Sequence, residues 1–329
     1  MKLRPFGNDP ARVSEVGLGC WQLGGADWGD VPEADALDTL RAAADAGVTL
    51  LDTADVYGLG RSEELIGKFL RDAGRERFFV ATKLGRFPQP GGAANFTPAT
   101  IRAHTEASLR RLGVDCLDLT QLHCVPMKIL QVNEVWETLR ALKREGKIKR
   151  FGASVESVAE AEACVRQEGC ASLQLIFNVF RQTPAFELFD TCMQKGIAVI
   201  VRLPLASGLL AGKYTAATTF PPTDHRTYNR DGEKFNVGET FAGLGFERGV
   251  ALAQKLRPLV PAGYTMAQMA LRWCLDFPAV TAIIPGARDR AQAHANAAAS
   301  DLPPLPAGLH DELRAFFTSD VKPHVRGPD

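Results

Sequence analysis

The chain reads as a (β/α)8 barrel forming one domain over residues 1–329. Three observations lead there. Short β-type runs alternate with longer helical patterns along almost the whole length. The β-type runs number eight, and no internal repeat, composition shift or flexible linker divides the chain. The length exceeds the ~100–200 residues usual for one domain, and uniform alternation favours one large barrel over two smaller units.

The candidate strands, in order, are 16–20, 49–52, 78–83, 116–122, 148–153, 172–177, 198–201 and 279–284. Most are continuous apolar runs rather than alternating ones, as expected of parallel strands covered on both faces. The intervening segments carry helical stripes. Leu37, Leu40 and Ala44 share one face, as do Val135, Leu139 and Leu142, and then Met266, Met269, Ala270 and Trp273. Thr97-Pro98 and Thr183-Pro184 read as helix starts, with Thr as N-cap and Pro in the first helical position. The basic run Lys143-Arg144-Glu145-Gly146-Lys147 belongs at a helix C-terminus, where cations offset the dipole. Two irregular stretches remain, Gly85 to Asn95 and the longer Leu203 to Gly238. A loop as long as the second is usually functional in a compact domain.

Composition narrows the function classes. With 38 Lys+Arg against 38 Asp+Glu, the net charge of zero gives no electrostatic reason to bind nucleic acid or an anionic membrane. A 46% hydrophobic fraction excludes a disordered chain. The seven cysteines are scattered without a C-x-x-C pair, so they read as small buried thiols in a reducing compartment, not as a disulfide framework or zinc site. The N-terminus lacks the apolar run of a signal peptide and nothing approaches ~20 consecutive apolar residues, so a cytoplasmic location is expected. Asn95-Phe96-Thr97 fits a glycosylation sequon by chance in that setting.

Chemistry is suggested by position. Asp52 ends the second strand run, Lys83 ends the third and His123 follows the fourth. Strand C-termini of a barrel converge on one face, where active sites are built. Tyr57, five residues after Asp52, lies in the turn that reaches back over this mouth. A phenol has a pKa of about 10 and is a poor acid at neutral pH. A nearby ammonium lowers that value and a carboxylate can hold the ammonium in place. Tyr57 is then a proton donor to a carbonyl oxygen, with His123 hydrogen-bonding the same oxygen. No metal or covalent nucleophile is called for, and H-E-x-x-H, Walker and G-x-S-x-G motifs are absent. A hydride source is needed, which only a cofactor supplies.

Leu51-Asp52-Thr53-Ala54-Asp55-Val56-Tyr57-Gly58, followed by Ser62-Glu63-Glu64-Leu65-Ile66-Gly67, resembles the signature of the aldo-keto reductase superfamily. Later motifs match in order: Ala81-Thr82-Lys83, Leu122-His123, Gly152-Ala153-Ser154, the run from Pro204 to Lys213, and Ile284-Pro285-Gly286-Ala287-Arg288. The likeness covers essentially the whole chain. It implies a barrel using NADP(H), with hydride passing between nicotinamide and a small-molecule carbonyl or alcohol. By position it implies Tyr57 as general acid/base, Lys83 and Asp52 as its tuning pair, and His123 as the group orienting the carbonyl. It places the nicotinamide carboxamide at Ser154 and Gln174 and the pyrophosphate under a clamp that includes Pro204, Leu205, Ser207, Gly208, Leu209 and Lys213. The adenosine end falls at Gly286, Arg288, Gln292 and Asn296. A Rossmann G-x-G-x-x-G is not expected in this family.

Three positions depart from the pattern. Arg202 stands where many members stack an aromatic ring on the nicotinamide; a guanidinium can lie flat on a ring or reach a phosphate instead. Val155 replaces an Asn, and Ala295 replaces an acidic residue that contacts adenine. The substrate pocket is expected near Trp21, Trp28, Phe87, His123 and the 220–238 region. The resemblance also admits a different role, since potassium-channel β subunits of this superfamily keep the cofactor and act mainly as regulatory partners.

Overall fold

The computed structural model describes residues 1–29 and 31–328. Two strands absent from the sequence reading come first. β1 (Leu3–Phe6) and β2 (Asp9–Ser14) pair as an antiparallel hairpin. Its turn needs glycine: Gly7 has φ +58°, and a Cβ there would lie 2.2 Å from the Gly196 carbonyl oxygen. Sequence periodicity missed the hairpin because Pro5 and the charged residues Arg4, Asp9 and Arg12 leave it few apolar positions.

The eight expected strands follow as β3 (Leu18–Gly19), β4 (Leu50–Asp52), β5 (Phe79–Leu84), β6 (Leu119–His123), β7 (Phe151–Ser154), β8 (Cys170–Ile176), β9 (Ala198–Arg202) and β10 (Val280–Ile283). Each pairs in parallel with its neighbours in chain order. Bridges of Val16 with Ile283 and Gly19 with Gly286 join the last strand to the first and close the barrel. The end strands pair only locally, and their observed spans are shorter than the apolar runs around them.

Helices α1 (Glu33–Asp45), α2 (Arg61–Ala73), α3 (Pro98–Leu112), α4 (Met127–Leu130), α5 (Asn133–Arg144), α6 (Val158–Val165), α7 (Thr183–Glu187) and α8 (Phe189–Lys195) fill the crossovers. They are followed by α9 (His225–Tyr228), α10 (Phe246–Leu256), α11 (Met266–Leu275), α12 (Arg290–Ala297) and α13 (Ala307–Phe316). The α5 and α11 stripes are buried as read, and α11 begins with a capping box of Thr265 and Gln268. In α1 the buried face is Ala36, Leu40 and Ala43, which leaves Leu37 and Ala44 at its edge. Thr97 caps α3, its hydroxyl accepting from Thr100 N at 3.3 Å. At α7 the helix starts on Thr183 itself, one residue earlier than expected, with Gln182 before it. Lys143 and Arg144 close α5 as the dipole argument requires.

The core has two parts. A large cluster lies between strands and helices, and a smaller one inside the barrel gathers Leu50, Phe79, Leu119, Ile200 and Ala282 beneath Phe6 and Val13 of the hairpin. The hairpin thus plugs the N-terminal end, leaving the C-terminal end to form the mouth.

Candidate functional site

The mouth collects the expected side chains. Asp52 is the last residue of β4 and His123 the last of β6; Lys83 is next to last in β5, and Tyr57 follows β4 in a tight turn. Lys83 Nζ is the hub, donating to Asp52 Oδ2 at 2.7 Å, to the Thr53 carbonyl at 2.9 Å and to Tyr57 Oη at 3.2 Å. The Tyr57 and His123 rings meet edge to face, their centroids 5.8 Å apart. Asp52, Lys83 and His123 are buried, so this ionic group sits away from bulk water, where its interactions are strong.

Burial modifies the sequence expectation for Tyr57. Removing the phenol from water raises its pKa to about 12, although Lys83 pulls it down. The ammonium therefore moderates an upward shift and does not bring the phenol below its ordinary value. Burial alone would lower the Lys83 pKa, but Asp52 and Tyr57 outweigh it and keep the ammonium charged. Burial likewise pushes the Asp52 carboxyl up, against Lys83 and Gln174. His123 is held well below the usual imidazole range by burial and then by Arg86, Lys83 and Arg202, so it is a neutral ring at physiological pH.

A cavity of about 570 Å³ runs from Tyr57 and His123 to the N-terminal end of α12. Of the residues expected to hold a dinucleotide, Gln174, Arg202, Pro204, Leu205, Ser207, Gly208, Lys213, Gly286, Arg288, Gln292 and Asn296 line it, and so do Trp21 and Trp28. Leu209 and Ser154 are packed just behind the lining. Leu209 is buried near Gly249, and Ser154 lies 3.6 Å from Cys124 Sγ. Phe87 is turned away: Asn95 Nδ2 donates to its carbonyl at 2.7 Å and its ring packs on His104, which holds the loop after β5 against α3.

Several features fit an elongated anionic cofactor. Gln174 Nε2 donates to Asp52 Oδ1 at 2.8 Å, which fixes the amide and leaves its oxygen as an acceptor at the cavity wall. Ala206 and Ser207 adopt left-handed backbone, with φ +49° and +55°, and such conformations concentrate at ligand-clamping turns. Gly208 completes the turn; a Cβ there would sit 2.3 Å from Tyr214 Oη. The side chains of Lys213 and Arg288 are exposed at the far end.

Other residues were not legible in the sequence. Glu239 accepts from Arg86 Nη1 at 3.3 Å and lies 3.5 Å from Arg202 Nη1. Arg202 Nη2 also donates to the Val155 carbonyl at 3.1 Å. Arg202 is thus pinned beside the cavity by a carboxylate and a backbone oxygen, and no phosphate is needed to hold it. Cys124, Glu156 and Glu239 place ligand atoms within 4.8 Å of one another, but the adjoining guanidiniums make this an ion-pair cluster and not a cradle for a cation. Over the mouth, His225 packs on Trp21 and Trp28 with ring centroids at 4.8 Å and 4.4 Å, and Tyr214 Oη accepts from Arg226 Nη1 at 2.6 Å. The Leu203–Gly238 stretch is therefore a strap across the cleft, as its length suggested.

A closed parallel barrel with this ionic group at its mouth defines a (β/α)8 oxidoreductase. The profile of the Aldo/keto reductase family matches residues 15–316, and the chain belongs to that family. It is 30% identical over 319 residues to the NADH-specific methylglyoxal reductase of Escherichia coli, covering 92% of this chain and 94% of that one. Among solved structures, the glycerol dehydrogenase AKR11B4 of Gluconobacter oxydans superposes with a TM-score of 0.78 at 28% identity, covering 99% of this chain and 98% of that one. An aldo/keto reductase of Klebsiella pneumoniae, solved in complex with NADP and acetate, gives 0.70 at 26% identity and 96% coverage of both chains. Among the described residues, no helix is long and apolar enough to cross a membrane.

Proposed function

We propose that the protein is an NADP(H)-dependent reductase of small carbonyl compounds, reversible toward alcohols, with Tyr57 as the proton donor. The observation that carries this reading is the Lys83 ammonium, bonded at once to the Asp52 carboxylate and the Tyr57 hydroxyl, with the His123 ring packed edge to face on Tyr57. The nicotinamide cofactor, when bound, supplies the hydride. Gln174 offers its oxygen to the carboxamide, the 206–208 turn and Lys213 face the pyrophosphate, and Arg288 lies at the adenosine end. NADP in the Klebsiella relative supports the phosphorylated dinucleotide, as does the exposed Arg288 at the adenosine end; the Escherichia coli relative is NADH-specific, so the preference calls for direct measurement.

The chain's own groups perform the proton chemistry. A phenol with pKa near 12 stays protonated at neutral pH, yet remains a stronger acid than an ordinary alcohol. It gives up its proton to the substrate oxygen as negative charge develops there. The neutral His123 donates an N–H to the same oxygen, and Lys83 stabilises the phenolate left behind. Trp21 and Trp28 exclude water from one side.

Tyr57→Phe is the direct test. Reduction of an aldehyde panel with NADPH should fall by about 10²–10⁴-fold, while cofactor affinity measured by fluorescence persists. A variant that turns over like wild type removes Tyr57 from this role. Absence of turnover in wild type would favour a cofactor-binding regulatory subunit.

A further inference from the structure

Glu239 is only 6% exposed, yet it lines the cavity shared by Tyr57, His123 and Arg202. Its two oxygens are used unequally. Oε1 takes Arg86 Nη1 at 3.3 Å, Arg202 Nη1 at 3.5 Å and the Cys124 thiol at 3.7 Å. Oε2 has no hydrogen bond among the described residues, and it is not among the polar atoms sealed off from solvent, so it is reachable from the cavity that Glu239 lines. The Glu239 backbone is also fixed from behind. Ser207 Oγ donates to the Glu239 carbonyl at 3.0 Å and accepts from Phe241 N at 3.1 Å. A fixed carboxylate oxygen that opens on a cavity is a ready acceptor for a ligand hydroxyl.

Glu239 lines the same cavity as Tyr57 and His123. Cys124, which touches Glu239, directly follows His123, and Arg202 occupies the position beside the expected nicotinamide. The Glu239 charge is close enough to help raise the Tyr57 pKa. Both guanidiniums favour the ionised form over the opposing effect of burial. We propose that Glu239 is a specificity residue that accepts a hydrogen bond from a hydroxyl group next to the carbonyl, and that the substrates are small hydroxylated carbonyls and the corresponding polyols. This rests on the reductase reading above and names its substrate class. A site built to hydrogen-bond a hydroxyl discriminates against the analogue lacking it, because its polar group is then left unpaired.

The test compares glyceraldehyde with propanal in wild type, Glu239→Gln and Glu239→Ala. Wild type should favour glyceraldehyde in kcat/KM by about 10- to 100-fold. The ratio should shrink in Glu239→Gln and approach unity in Glu239→Ala. A purely structural role would lower both aldehydes together and leave the ratio unchanged, which overturns the proposal. Equal use of the two aldehydes by wild type overturns it as well. Should the variants fail to fold, inhibition of wild type decides: glycerol should compete at concentrations at least tenfold lower than 1-propanol, and equal potency counts against Glu239. Failure of wild type to reduce either aldehyde with NADPH or NADH would instead sink the reductase reading, and this proposal with it.

Discussion

Lys83 is the residue on which the proposed chemistry turns, because one ammonium holds both the carboxylate and the phenol. Lys83→Met removes the charge that opposes burial at Tyr57, so the phenol becomes a weaker acid. We expect slower reduction at neutral pH and an alkaline limb of the pH–rate profile displaced upward; a profile matching wild type would show that the contact is not functional. The same reasoning reaches the far end of the cleft. Arg288 is exposed there, its backbone N donating to Gln292 Oε1 at 3.1 Å, with its guanidinium available for a phosphate. Arg288→Ala should reduce an NADPH-over-NADH preference by about 10- to 100-fold in affinity, the worth of a charge-assisted pair. An undiminished preference in cofactor titrations would remove it from the site. Asp52, Lys83 and His123 were legible because a strand end is a position that sequence pattern can locate. Glu239 was not, since it comes from an irregular segment and meets Arg86 and Arg202 only through the tertiary fold.

We expect the packing of the strap to depend on pH through one buried imidazole. His225 of α9 is fully buried against Trp21 and Trp28, and burial lowers its pKa to about 4, with Asp224 opposing. An unfolded or opened strap binds a proton near the ordinary imidazole value of about 6.5; the closed strap does not until about pH 4. The open form binds more protons across that window, so closure is fully stable above it and weakens as pH falls through it. The slope is about 1.4 kcal/mol per pH unit for one proton. Hydrogen exchange over residues 220–240 should accelerate as pH is lowered from 6.5 toward 4, after correction for intrinsic rates. His225→Gln, which keeps hydrogen-bonding capacity toward the Asp27 carbonyl, should flatten that dependence. An equally steep variant would assign the effect elsewhere. Sequence length alone marked this stretch as functional, but its aromatic packing lay beyond pattern reading, because Gly, Pro and Thr-rich loops carry no periodicity from which contacts can be inferred.

Across the whole molecule, stability and chemistry occupy opposite ends of the barrel. The eight parallel strands were legible as apolar runs because both faces are covered, whereas the hairpin that plugs the floor was hidden by its polar edge. That plug is well anchored. The Phe6 ring lies 4.8 Å from Phe79, Asn8 N donates to the Gly196 carbonyl at 2.9 Å, and Asp9 pairs with Arg150. Phe6 is 1% exposed and completes the barrel-interior cluster, while the cleft is lined by residues of the other end. Phe6→Ala should therefore leave a cavity the closed sheet cannot collapse into, at a cost of about 3–5 kcal/mol. Chemical denaturation should show that loss as a lower midpoint. At temperatures where the variant stays folded, its kcat and KM should match wild type, because the strand C-termini are fixed by their own ladder. A variant that keeps its denaturation midpoint would show that the hairpin is not a structural plug. One that loses kcat while folded would show that packing at the floor reaches the mouth, and that the two ends are not independent.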